Sequence, residues 1–92
     1  MQITISDLSS RDLDRAFDAA NAELAARGLP KRLILSSDDP GYFRSADANG
    51  AGYRVAQIIE NGLSNARPEV RISTSHDIVV AAALLRAFAT IA

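Results

Sequence analysis

The chain has no cysteine and no tryptophan, one histidine and three prolines, and aromatic residues make up only 5% of its 92 positions. The absence of cysteine excludes a disulfide framework and any thiolate metal site. It also fits a reducing compartment. A surplus of either charge is missing too: Lys and Arg number 10 against 11 Asp and Glu, for a net charge of −1. That balance weighs against general nucleic-acid binding, which draws on excess cations to release counterions. It weighs equally against a strongly acidic mimic of DNA. No basic and then apolar leader opens the chain, because Met1 runs directly into Gln2-Ile3-Thr4-Ile5-Ser6. The most apolar run, residues 78–92, is about 15 residues long and short of the ~20 that span a bilayer. The expectation is a cytoplasmic protein without a membrane segment.

What is present reads as one globular domain over residues 1–92, with 48% hydrophobic and 23% charged residues. A chain this small buries only about 60–65% of its unfolded surface. Its core must therefore be efficient or shared with a partner. The run 78–92 carries a single charge, Arg86. A helix so apolar needs cover around most of its circumference. It belongs in the middle of the core or against another chain.

Periodicity predicts the remaining elements. Residues 2–6 alternate polar and apolar, a half-buried strand. Ser9 with Asp12 resembles a capping box opening a helix that runs to about Arg27, with Leu13, Phe17, Ala20 and Leu24 on one face. Gly28 and Pro30 stop it. Residues 31–36 form a continuous apolar strand, which predicts a central position in the sheet. Ser37-Asp38-Asp39-Pro40-Gly41 is a turn signal. In 48–66, Val55, Ile58, Ile59, Gly62, Leu63 and Ala66 share a broad helical face, and adjacent Ile58 and Ile59 break strand alternation; a helix over about 49–65 is predicted rather than a hairpin at Asn49-Gly50. Residues 70–73 alternate as a third strand, and the last helix starts at Thr74 or Ser75.

The resulting order is β-α-β-α-β-α. It predicts an α/β two-layer sandwich, with a three-stranded, mostly parallel sheet and helices mainly on one face. The polar face of that sheet would carry Gln2, Thr4, Ser6, Arg71 and Ser73. The alternative is a ferredoxin-like or other α+β fold with an extra short strand near 42–45.

Three groups of residues are candidates for function. In a parallel sheet the strand ends converge, so Asp7, Asp38, Asp39, Ser75 and His76 would gather into a site for a phosphate-bearing ligand or Mg²⁺. Helix capping and turn formation account for the same residue types without any ligand. A triad built from Ser73 or Ser75, His76 and Asp77 is excluded, since such near neighbours cannot point at one another. The stretch 45–50 has the alternation of a calcium loop but lacks its first Asp and its twelfth Glu. Gly50-Ala51-Gly52 lacks the third small residue of a dinucleotide fingerprint and no lysine of a phosphate loop follows. No metal site and no cofactor are expected.

The second group is Tyr42, Phe43, Arg44, Tyr53 and Arg54, the aromatic and arginine types that anchor protein interfaces. Pinning of a long loop to the core by Phe43 and Tyr53 competes with that reading. The third is the strip Val79, Ala83, Arg86 and Thr90 on the last helix, where small residues would admit a second copy. The functional expectation is a non-enzymatic protein–protein interaction module, acting as a regulator, inhibitor or subunit and forming a homodimer through its last helix.

Overall fold

A computed structural model describes residues 1–36, 41–47, 49–50, 52–59 and 67–91. The elements are β1 (Gln2–Ile5), α1 (Ser10–Ala26), β2 (Arg32–Leu35), β3 (Tyr42–Ala46), β4 (Arg54–Ile59), β5 (Glu69–Ser73) and α2 (Ile78–Ile91). The strands form one five-stranded sheet in the order β1-β5-β4-β3-β2, and each neighbouring pair is antiparallel. This is an α+β fold. It overturns the three-stranded, mostly parallel β-α-β-α-β-α sandwich. Strand β2 lies at an edge, not in the centre.

The overturning element is β4. Gly52 prepares it: a Cβ there would sit 1.4 Å from the carbonyl oxygen of Ser45, so only glycine lets the two backbones approach. The register then shifts, with Arg44 opposite Arg54 but Phe43 opposite Ala56. Val55 is thus the extra residue of a bulge. Val55 and Ala56 are consecutive, yet both are buried in the core. A bulge inside a strand breaks the period of two, and the broken pattern mimics a helical face. The rest of the expected helix, residues 60–65, lies outside the described residues.

Helix α1 starts as its sequence requires. The Ser9 hydroxyl accepts from the Asp12 backbone N–H at 3.1 Å, and the Asp12 carboxylate accepts from the Ser9 N–H at 3.3 Å. Its inner face, Leu13, Ala16, Phe17, Ala20 and Leu24, is buried. Helix α2 starts later than expected. Asp77 is its N-cap, accepting the Val80 N–H at 3.3 Å through Oδ1 and the Ala81 N–H at 3.0 Å through its carbonyl. Thr74 instead prolongs the sheet, donating its N–H to the Met1 carbonyl at 3.0 Å.

Both helices join one core with a single face of the sheet. Alanines make this possible. Ala16 and Ala20 of α1 and Ala81, Ala83 and Ala87 of α2 are buried, and short side chains let helix axes come close. The helix that the small residues of α2 admit is α1 of the same chain. Phe17 stacks on Phe43 of β3 at 3.9 Å between ring centroids and meets Phe88 of α2 edge-on at 6.4 Å. At the rim, Arg86 grips Glu23 of α1 with two hydrogen bonds, one of 2.8 Å from Nε.

Candidate functional site

Alternation along the strands divides the sheet into two faces. Val70, Ile72, Ala56, Phe43 and Leu33 turn toward the helices. Their neighbours in sequence, apart from Val55 at the bulge, turn away from them, onto a face that no helix among the described residues covers. The register lines these up: Thr4 lies opposite Arg71, Arg71 opposite Gln57, and Gln57 opposite Tyr42. A row of hydroxyl, guanidinium, amide and phenol thus crosses four strands. One step along, Arg44 and Arg54 are paired across β3 and β4. Like charges placed so repel, and each is accommodated separately. The Arg54 guanidinium lies over the Tyr42 ring, 4.8 Å from its centroid, and Arg44 donates to the Gly52 carbonyl at 3.0 Å. A shallow groove of about 390 Å³ runs between Gln2, Tyr42, Arg54, Gln57, Arg71 and Ser73.

The face is electropositive. Arg44, Arg54 and Arg71, joined by alternation at the start of β2 by Arg32, meet Glu69 as the one carboxylate on the described strands of this face. In a chain of net charge −1, the acids must lie elsewhere. Asp14 and Asp18 are exposed on α1, on the far side of the molecule. The helix layer is balanced, with Asp12, Asp14, Asp18 and Glu23 set against Arg11, Arg15, Arg27 and Arg86, so the local excess of arginine belongs to the open face.

The expected partner-binding set is split by this geometry. Tyr42, Arg44 and Arg54 share the open face. Phe43 packs against α1. Tyr53 sits on the helix side at the sheet's end, more than half exposed and stacked on His76 at 5.3 Å. Arg71, Gln57 and Thr4 complete the row. Alternation had already assigned Arg71 and Thr4 to a polar face; Gln57 was hidden by the helical reading of its segment.

The expected ligand site is dispersed. Because β5 runs antiparallel to β1, the carboxyl ends of these two strands fall at opposite ends of the sheet. Asp7 follows β1 at one end, in a left-handed conformation (φ 62°) beside Arg67 at 3.5 Å. Ser75 and His76 follow β5 at the other end, separated from it by a strand rising ~3.4 Å per residue. Asp38 and Asp39 lie outside the described residues. Among the described residues, no group of three or more His, Cys, Asp or Glu is placed to hold a metal ion.

Asp77 is instead structural. Its buried carboxylate accepts from Lys31 Nζ at 3.1 Å and from the Val80 N–H, and the Ser45 hydroxyl supports it. Burial acts to raise its pKa, but these donors together outweigh burial and hold the carboxyl below its ordinary range. The larger depression between α1 and β2, about 470 Å³, has two of its polar side chains similarly occupied: Lys31 by Asp77, and Asn21 by the Leu33 backbone.

The self-association strip is also divided. Ala83 is buried against the core, and Arg86 is held by Glu23. Val79 and Thr90 are exposed. No family model matches the chain, and neither the curated proteins nor the solved structures contain a match. Among the described residues, no helix is long and apolar enough to cross a membrane.

Proposed function

We propose that the chain is a non-enzymatic interaction module whose working surface is the uncovered face of its sheet, and that its partner is a protein with an acidic surface. The observation carrying this reading is the concentration of Arg44, Arg54 and Arg71 around Tyr42 and Gln57 on the face of the sheet turned away from the helices. Tyr and Arg supply much of the binding energy at protein interfaces, and the field of such a face steers an acidic partner toward it. Nucleic acid fits less well. Base stacking needs open aromatic rings, and Tyr42 is half-buried with Arg54 already lying over it. Self-association through α2 has weaker support, since Ala83 and Arg86 are engaged within the chain.

The test is titration of ¹⁵N-labelled protein with glutamate-rich peptides and with single-stranded oligonucleotides. The peptides are expected to shift the amides of Tyr42, Gln57 and Arg71. Affinity should fall as salt rises, and Arg54→Glu with Arg71→Glu should abolish it without unfolding the domain. Shifts confined to α2, or preference for the oligonucleotide, would sink the proposal.

A further inference from the structure

The two edges of the sheet are finished differently. In antiparallel pairs, residues alternate between bonding their neighbour strand and pointing backbone groups outward. On β2 the Ser36 N–H donates inward to the Tyr42 carbonyl at 2.9 Å, so Leu33 and Leu35 point outward. Leu33 is covered. The Asn21 side chain of α1 accepts its N–H at 2.7 Å and donates to its carbonyl at 3.1 Å. One amide side chain does there what another strand would do, and it blocks the middle of that edge.

On β1 the same alternation, set by Thr74 donating to Met1, turns Ile3 and Ile5 toward β5. Gln2 and Thr4 point their N–H and C=O groups outward. Among the described residues nothing bonds to these groups. The side chains flanking this open edge differ by face. Ile3 and Ile5 are half-buried on the helix side. On the other side Thr4 is short, and beyond it stands Arg71, exposed and with its guanidinium unpaired among the described residues. An extended arginine reaches past one strand spacing of about 4.8 Å, so Arg71 can meet an acid on a strand added beside β1.

We infer that β1 accepts an extended segment of the partner as a sixth strand, antiparallel like every other pair in the sheet, with acidic side chains alternating with apolar ones. This deepens the binding reading above and rests on it. The acids would lie on the open face toward Arg71, and the apolar side chains would cover the remaining surface of Ile3 and Ile5. Charge chooses this occupant over a second copy of the chain, because Gln2-Ile3-Thr4-Ile5 brings no acid to Arg71. Strand addition of this kind takes affinity from main-chain hydrogen bonds and specificity from alternate side chains.

The probe is a peptide of about eight residues alternating glutamate and valine, long enough to match a strand. Residues facing Thr4 share its side of the sheet, so the glutamate amides are the ones that pair with β1. A second peptide carries N-methyl groups on those amides, preserving charge while removing the bonds. The wild-type protein should bind the methylated peptide at least about tenfold more weakly. Thr4→Pro should lose the unmethylated peptide to a similar degree with its circular dichroism unchanged. If Thr4→Pro fails to fold, Gln2→Pro carries the test, since proline is tolerated at the first residue of an edge strand. Equal binding of both peptides, still lost in Arg71→Glu, would overturn strand addition and leave the charged face standing. Binding of neither would overturn both. Dimerisation abolished by Gln2→Pro, with no peptide bound, would overturn the acidic occupant.

Discussion

Two faces of one sheet are built from alternate residues of the same strands, and they carry different burdens. On β5, Val70 and Ile72 have no exposed surface, while Arg71 between them is exposed. On β3, Phe43 stacks in the core while Tyr42 and Arg44 look outward. Residues one position apart thus belong to different problems, one of packing and one of recognition. Substitutions on the two faces should separate cleanly into losses of stability and losses of binding.

The sharpest break is on the core side. Leu84 is fully buried where α2 meets the core, and Leu84→Ala should cost about 2–5 kcal/mol through lost transfer energy and a residual cavity. Whole domains are stable by only about 5–15 kcal/mol. Urea denaturation should therefore show a population already partly unfolded, or a midpoint sharply reduced.

A smaller effect is expected where the layers are tied together. Asp77→Ala removes a helix cap and leaves Lys31, about half exposed, to be solvated by water. The cost should be about 2 kcal/mol, within the range for caps and below that for fully buried pairs. The same carboxylate makes stability depend on pH. Its folded pKa lies below its unfolded value, so its contribution is complete above about pH 4 and is lost as pH falls through the folded pKa. As pH falls below about 4, Asp77→Asn should lose less stability than the wild type. Parallel acid-denaturation curves would show that Asp77 is not the group responsible.

The smallest stability effect belongs to the open face. Arg71→Ser should change the unfolding free energy by no more than about 0.5 kcal/mol, as for other surface sites. A loss much larger than that, by thermal melting, would mean that the two faces are not independent.

Parts of this division are legible in the sequence alone. The strict alternation of residues 2–5 placed Thr4 on a polar face, and Ser9 with Asp12 marked the start of α1. The apolar character of α2 required cover, which α1 and the sheet supply. Other parts were written in no local pattern. Buried Val55 at the bulge, with Ile58 and Ile59 half-buried on opposite faces of β4, gives that strand a helical signature; reading it as a helix, and leaving 42–44 out of the sheet, turns an antiparallel sheet into an expected parallel one. The cluster of residues 73–77 offers several capping residues in succession, and only the pairing of Thr74 with Met1 decides among them. The row from Thr4 to Tyr42 depends on register across four strands, which distant residues determine. Asn21 has no signal at all: its role requires α1 to lie against the outer edge of β2.

The order of the strands has one more consequence, for the timing of folding. Strands β2 to β5 follow one another along the chain as neighbours in the sheet. Strand β1 is made first yet lies beside β5, and its contact between Met1 and Thr74 joins positions 73 residues apart. Closing so long a loop is slow compared with zipping successive neighbours. On a ribosome, β1 must wait for nearly the whole chain before its place exists. During that wait an amphipathic strand is free beside a growing sheet whose last edge is vacant. The strand that comes first of these five along the chain is the last to be seated, and any other extended segment that reaches β5 earlier competes for the same position.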